Sequence, residues 1–111
     1  LIMKYTDEQI AIIGENIIKA LKTVFDPEIP VDIYELGLVY DVQISEDGDV
    51  KVVMTLTTPN CPVAESLPQE VKEKVAAVEN VKSVDLELTF EPSWNKDMMS
   101  EEAKFELGIL F

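Results

Sequence analysis

Apolar side chains recur at Ile10, Ile13, Ile17, Leu21 and Val24, at spacings of three or four, which is the period of one helical face. Thr6-Asp7-Glu8-Gln9 stands just ahead of them and reads as a capping box, with Thr6 as cap and Gln9 reaching back. The pattern predicts a helix over 7–24, ended by Asp26-Pro27, because a residue before proline is pushed out of the helical region. Residues 25–38 are irregular, yet Ile29, Val31, Ile33, Leu36 and Leu38 are apolar. Such a loop is expected to fold back onto the core and to carry function. The period then changes to two. Leu38, Tyr40, Val42 and Ile44 alternate with mostly polar neighbours, Asp47-Gly48 suits a two-residue turn, and Val50, Val52, Met54 and Leu56 continue on the far side. This predicts a hairpin whose second strand is the more buried.

The run Thr57-Thr58-Pro59-Asn60-Cys61-Pro62 closes that strand. Pro62 fits a first helical turn, which sets Cys61 at or beside an N-cap. Ala64, Leu67, Val71, Val75 and Val78 then mark the inward stripe of a helix near 62–78. Pro68 falls within it and is expected to kink it or to mark a second start. Val84, Leu86, Leu88 and Phe90 return to strand period, and a short helix is expected from Ser100 to about Leu107. The order α-β-β-α-β predicts an α+β fold: a small three-stranded mixed sheet with helices on one face, plus a C-terminal helix. The β-α-β step should be a right-handed crossover between parallel strands. One compact domain over 3–111 is expected.

Composition narrows the function classes. Of 111 residues, 47% are apolar, enough for a real core. The charged residues are 22 acids against 9 lysines, with neither arginine nor histidine, giving a net charge of −13. That balance argues against nucleic-acid partners, which need a basic face, and against an anionic membrane surface. The missing histidine removes Ser-His-Asp and Cys-His catalysis and every histidine-containing metal site. A single cysteine, Cys61, excludes an intrachain disulfide and a self-contained site of four cysteines. No apolar run is long enough to span a membrane. The start carries no signal-peptide pattern, so a cytoplasmic location is expected.

Candidate chemistry gathers at two places. A cysteine at a helix N-terminus has a lowered pKa, and its thiolate is both nucleophile and metal ligand. The bland alternative for Cys61 is a small buried hydrophobe. Asp26 and Glu28 flank Pro27, either as helix terminator and solvated acid or as oxygen ligands on a stiff loop. Thr55, Thr57 and Thr58 lead toward Cys61; threonine simply favours strands, but its hydroxyls can donate to a thiolate or sulfide. Trp94, Met98 and Met99 are expected to pack the tail onto the domain, or onto a second copy.

These segments together resemble a known family. Asp26-Pro27-Glu28 with the run Asp32 to Tyr40, the block Thr55 to Pro62, and Trp94 through Met98-Met99 to Lys104 are similar to the iron–sulfur assembly family. That family includes SufT, PaaD-like proteins and the eukaryotic cytosolic iron–sulfur targeting factors. The resemblance covers nearly the whole chain. It implies the compact fold of iron–sulfur assembly domains and a non-enzymatic role in maturing iron–sulfur proteins. It singles out Cys61, Asp26 and Glu28 as metal or cluster ligands, with Thr57 and Thr58 lining the same site. It implies transient iron or an iron–sulfur cluster with none stably bound. The partners implied are the assembly machinery, client apo-proteins and a second copy in a homodimer. PaaD-like accessories of an oxygenase often carry extra cysteines near the C-terminus, and none stands there, which favours the SufT-like reading. A metal-free adaptor and a PaaD-like accessory remain the alternatives. A thiol enzyme is disfavoured, because Cys61 has no histidine base and no resolving cysteine.

Overall fold

The computed structural model describes residues 4–26, 31–56 and 66–106. Helix α1, Asp7–Leu21, opens with the capping box: Gln9 N donates to Thr6 Oγ1 at 3.2 Å and Thr6 N donates to Gln9 Oε1 at 2.8 Å. The helix ends before Val24 because the chain is needed elsewhere. The Val24 carbonyl accepts from Ile33 N at 2.9 Å, and Phe25 pairs with Asp32 in an antiparallel bridge. Thr23 and Val24 instead turn tightly onto Ala20 O and Leu21 O.

Strands β1 (Val39–Ile44) and β2 (Asp49–Met54) are antiparallel, and β2 pairs in parallel with β3 (Ser83–Leu88). The order β1-β2-β3 makes β2 central, which explains why it is the buried strand of the hairpin. Val50, Val52 and Met54 are covered by Ile13, Ile17 and Leu21 of α1 and by Leu67, Val71 and Val75 of α2 (Ser66–Ala76). The expected α+β fold, a mixed three-stranded sheet with helices on one face, is therefore what forms. The other face presents Asp41, Gln43, Lys51, Asp85 and Glu87. After β3 come a 3-10 turn at Lys96–Met98 and helix α3, Glu101–Glu106.

Two local expectations need correction, and a third falls partly outside the described residues. The hairpin loop has three residues, not two: Ser45 N donates to Asp49 O at 2.8 Å, and Gly48 N to Ser45 O at 3.1 Å. Gly48 takes φ +89°, the left-handed residue that completes such a loop. A Cβ there would also meet Asn80 O at 2.7 Å. Pro68, expected to kink a helix near 62–78 or to mark a second start, is the third residue of α2 as described, and residues 62–65, on which that choice turns, lie outside the described residues. Finally, the alternation in β1 is broken by a bulge between Val39 and Asp41. The extra residue, Tyr40, turns toward the tail, its hydroxyl donating to Pro92 O at 2.7 Å; re-aiming a side chain is a common use of a bulge.

Candidate functional site

The loop after α1 is built as a strap over the end of the sheet. Asp26 N donates to Val31 O at 3.2 Å, which ties the residue after α1 to the start of the next described stretch. Asp32 then folds the next stretch, its Oδ2 accepting from Glu35 N at 3.0 Å and its carbonyl from Leu36 N at 3.1 Å. Val31, Ile33, Leu36 and Leu38 are all buried. In its described part, 31–38, the loop folds back onto the core as its apolar residues require; Ile29 lies outside the described residues. Gly37, at φ +80°, reverses the chain into β1.

A relay of three main-chain hydrogen bonds crosses this strap. Thr55 N donates to Leu38 O at 2.8 Å, Leu38 N to Ile33 O at 3.1 Å, and Ile33 N to Val24 O at 2.9 Å. The end of β2 is thereby tied to the root of the loop that carries the Asp-Pro-Glu acids. Among the described residues the buried polar ones are Asp26, 3% exposed, and Thr55, fully buried. Burying a carboxylate is costly and requires compensation. Each of the two stands at the border of a segment that holds candidate ligands.

Asp26 is the only residue of the ligand set within the described structure. Glu28, Thr57, Thr58 and Cys61 lie outside the described residues, as does the expected helix start at Pro62. Among the described residues no three potential metal ligands cluster together. Sequence reasoning missed the parts of Asp32 and Gly37, which shape the strap. The spacing Asp32-x-x-Glu35 before Gly37 is a local turn signal that could have disclosed both.

The tail is seated on the same strap. Trp94 Nε1 donates to Leu36 O at 2.7 Å, and Ser100 N donates to Glu35 O at 2.8 Å. Met98 lies against Gly37 and Tyr40, whereas Met99 and Ala103 are buried.

Comparison with known proteins places this geometry in a family. The family model for iron–sulfur cluster assembly proteins matches residues 14–86. A protein of Porphyromonas gingivalis described as an Fe-S protein maturation auxiliary factor is 58% identical over 96 residues, 86% of this chain and 91% of that one. The Fe-S protein maturation auxiliary factor YitW of Bacillus subtilis is 47% identical, covering 86% and 93%. A crystal structure of a domain of unknown function, DUF59, from Bacillus anthracis superposes with a TM-score of 0.83 at 36% identity, covering 89% of this chain and 94% of that one. A conserved hypothetical protein from Thermotoga maritima gives 0.75 at 40% identity, covering 97% and 99%. The chain belongs to the iron–sulfur cluster assembly protein family.

Proposed function

We propose that this chain is a non-enzymatic factor in the maturation of iron–sulfur proteins, working as one domain over 3–111 in the cytoplasm. Its cargo is iron or an iron–sulfur cluster, taken transiently on Cys61 with Asp26 and Glu28 and lined by Thr57 and Thr58. The supporting observation is structural. Asp26 and Thr55, the buried polar residues among those described, border the segments of Glu28 and Cys61, and the three-bond relay ties Thr55 through the strap to Val24, two residues before Asp26. Similarity to two relatives named as maturation auxiliary factors supports the same reading.

Ligand arithmetic shapes the mechanism. A cluster commonly takes four cysteine thiolates, and this chain supplies one. The remaining ligands come from the assembly machinery, a client apo-protein, a second copy or a small thiol. Sparse ligation holds weakly and releases readily, which suits hand-over rather than storage. Carboxylates are harder ligands than thiolate, so Asp26 and Glu28 are suited to iron itself more than to a sulfide-rich cluster.

The test is anaerobic loading of the full chain with ferrous iron, with and without sulfide, followed by metal analysis and by transfer to an apo-enzyme acceptor. Cys61→Ala should abolish capture, and Asp26→Asn should only weaken it. Equal metal content in wild type and Cys61→Ala would reject the cysteine as ligand. Full capture with no effect on acceptor activity would reject the maturation role.

A further inference from the structure

Strand β1 is an outer strand of the sheet, and its free edge opens beside a groove against α1. The groove has a volume of about 340 Å³ and is lined by Gly14 and Ile18 of α1, by Tyr34, and by Asp41, Val42 and Ile44 among the residues of β1. The floor is open because α1 carries glycine at its middle. A Cβ at Gly14 would sit 3.5 Å from Ile44 Cδ1, an ordinary contact, so packing alone does not require glycine there. Ile18, Val42 and Ile44 are left only half-buried.

The hydrogen-bonding phase of β1 is fixed by its loop. Ser45 N donates to Asp49 O, so Ser45 and Gln43 turn their main chain toward β2. Alternation then turns the N–H and C=O groups of Val42 and Ile44 outward. Tyr5 N already donates to the outward carbonyl of Glu46 at 2.8 Å. Among the described residues, Val42 and Ile44 make no further main-chain hydrogen bond beyond the sheet. The bulge at Tyr40 limits the straight part of this edge to a few residues, which suits a short segment rather than a long strand.

We propose that this edge and groove dock an extended segment of a partner protein, added as a fourth strand beside β1. The segment pairs with the main chain of Val42 and Ile44 and sets alternate apolar side chains into the groove. Charge selects its chemistry. Asp41 is the one acid at this edge, although its carboxylate turns to the other sheet face and accepts from Gln43 Nε2 at 2.8 Å. The nearby Lys22, over the Tyr34 ring, is paired with Glu35, and the chain carries −13 overall. A lysine or arginine next to the apolar positions is therefore attracted, and an acidic segment is repelled. The same charge opposes a second copy as occupant, because two chains of −13 repel one another. This docking surface is independent of the cargo assigned to Cys61.

The probe is a synthetic peptide of alternating valine and threonine flanked by lysine, with a twin carrying glutamate in place of each lysine. Both are titrated into the full chain while main-chain amides are followed by NMR and hydrogen exchange. The lysine peptide should shift and protect the amides of Val42 and Ile44, and the glutamate twin should bind at least about tenfold more weakly. Asp41→Lys, a change at an exposed position beside this edge, should weaken that preference, and Gly14→Leu should fill the groove and block both peptides. Failure of the lysine peptide to bind, equal binding of the twins, or shifts confined to another face would overturn the proposal. So would a dimer in sedimentation that Gly14→Leu dissolves, since the groove would then belong to a second copy.

Discussion

Two glycines respond to the same chemical change in opposite directions. Gly37 stands at φ +80°, and a Cβ there would press into the main-chain carbonyl of Met98. Neither the backbone angle nor the neighbouring main chain can yield cheaply. Gly37→Ala should cost about 2–3 kcal/mol, the sum of left-handed strain and a displaced tail. Gly14 sits in the interior of α1 with room for a methyl group. Gly14→Ala should stabilise by about 0.5–1 kcal/mol, through the entropy that glycine loses on entering a helix. Urea unfolding of the two variants checks both signs at once. A neutral Gly37→Ala would show that the tail does not rest on the strap. A destabilised Gly14→Ala would show that α1 and β1 meet more closely than a 3.5 Å contact implies.

Among the elements, legibility follows sequence distance. The capping box of α1 joins residues three apart and could be read directly from Thr6 and Gln9, as could the periods of the sheet and α2. The parallel pairing of β2 with β3 follows from the intervening helix, because such a connection leaves strands pointing the same way. What could not be read depends on residues far apart. Trp94 Nε1 reaches Leu36 O across 58 positions, and the Tyr40 hydroxyl reaches Pro92 O across 52. No local pattern encodes either bond, nor the bulge that turns Tyr40 toward the tail. The candidate site divides the same way. Its residue types could be picked out from motif, but the relay from Thr55 to Val24 runs through Leu38 and Ile33, whose role is main-chain and leaves no side-chain signature. The tail anchor is open to measurement. Trp94→Phe keeps the apolar ring but removes the donor, leaving the carbonyl of buried Leu36 without that partner. An unsatisfied buried carbonyl costs about 1–3 kcal/mol, and the loss should appear together with faster proteolysis between β3 and α3. If stability and cleavage are unchanged, that hydrogen bond is not what holds the tail.

At the scale of the whole molecule, the excess of acids sets how stability answers to salt. Two effects oppose each other. Salt screens the favourable ion pairs, and it screens the mutual repulsion behind a net charge of −13. The described ion pairs are Lys4–Glu46, Lys22–Glu35, Lys51–Glu87 and Lys104–Glu101, at 3.4 to 4.0 Å. Three of these have at least one side chain more than half exposed, and in the fourth, Lys22–Glu35, the lysine is 48% exposed. Exposed pairs contribute about 0–1 kcal/mol each and are partly screened already at moderate salt. Repulsion acts among many more charges over longer distances, and unfolding relieves it by letting the chain expand. The balance therefore favours folding as salt rises. Raising sodium chloride from about 0.01 to about 1 M shortens the screening length from roughly 30 to roughly 3 Å. Over that range the unfolding free energy should increase by about 1 kcal/mol or more, and most of the gain should be complete by about 0.2 M, where neighbouring acids cease to sense one another. An uncharged osmolyte at matched osmolality should not reproduce the early rise. Stability that falls over the same range would mean that the four lysine pairs outweigh the surplus of acids, and the account of this surface as self-repelling would be wrong.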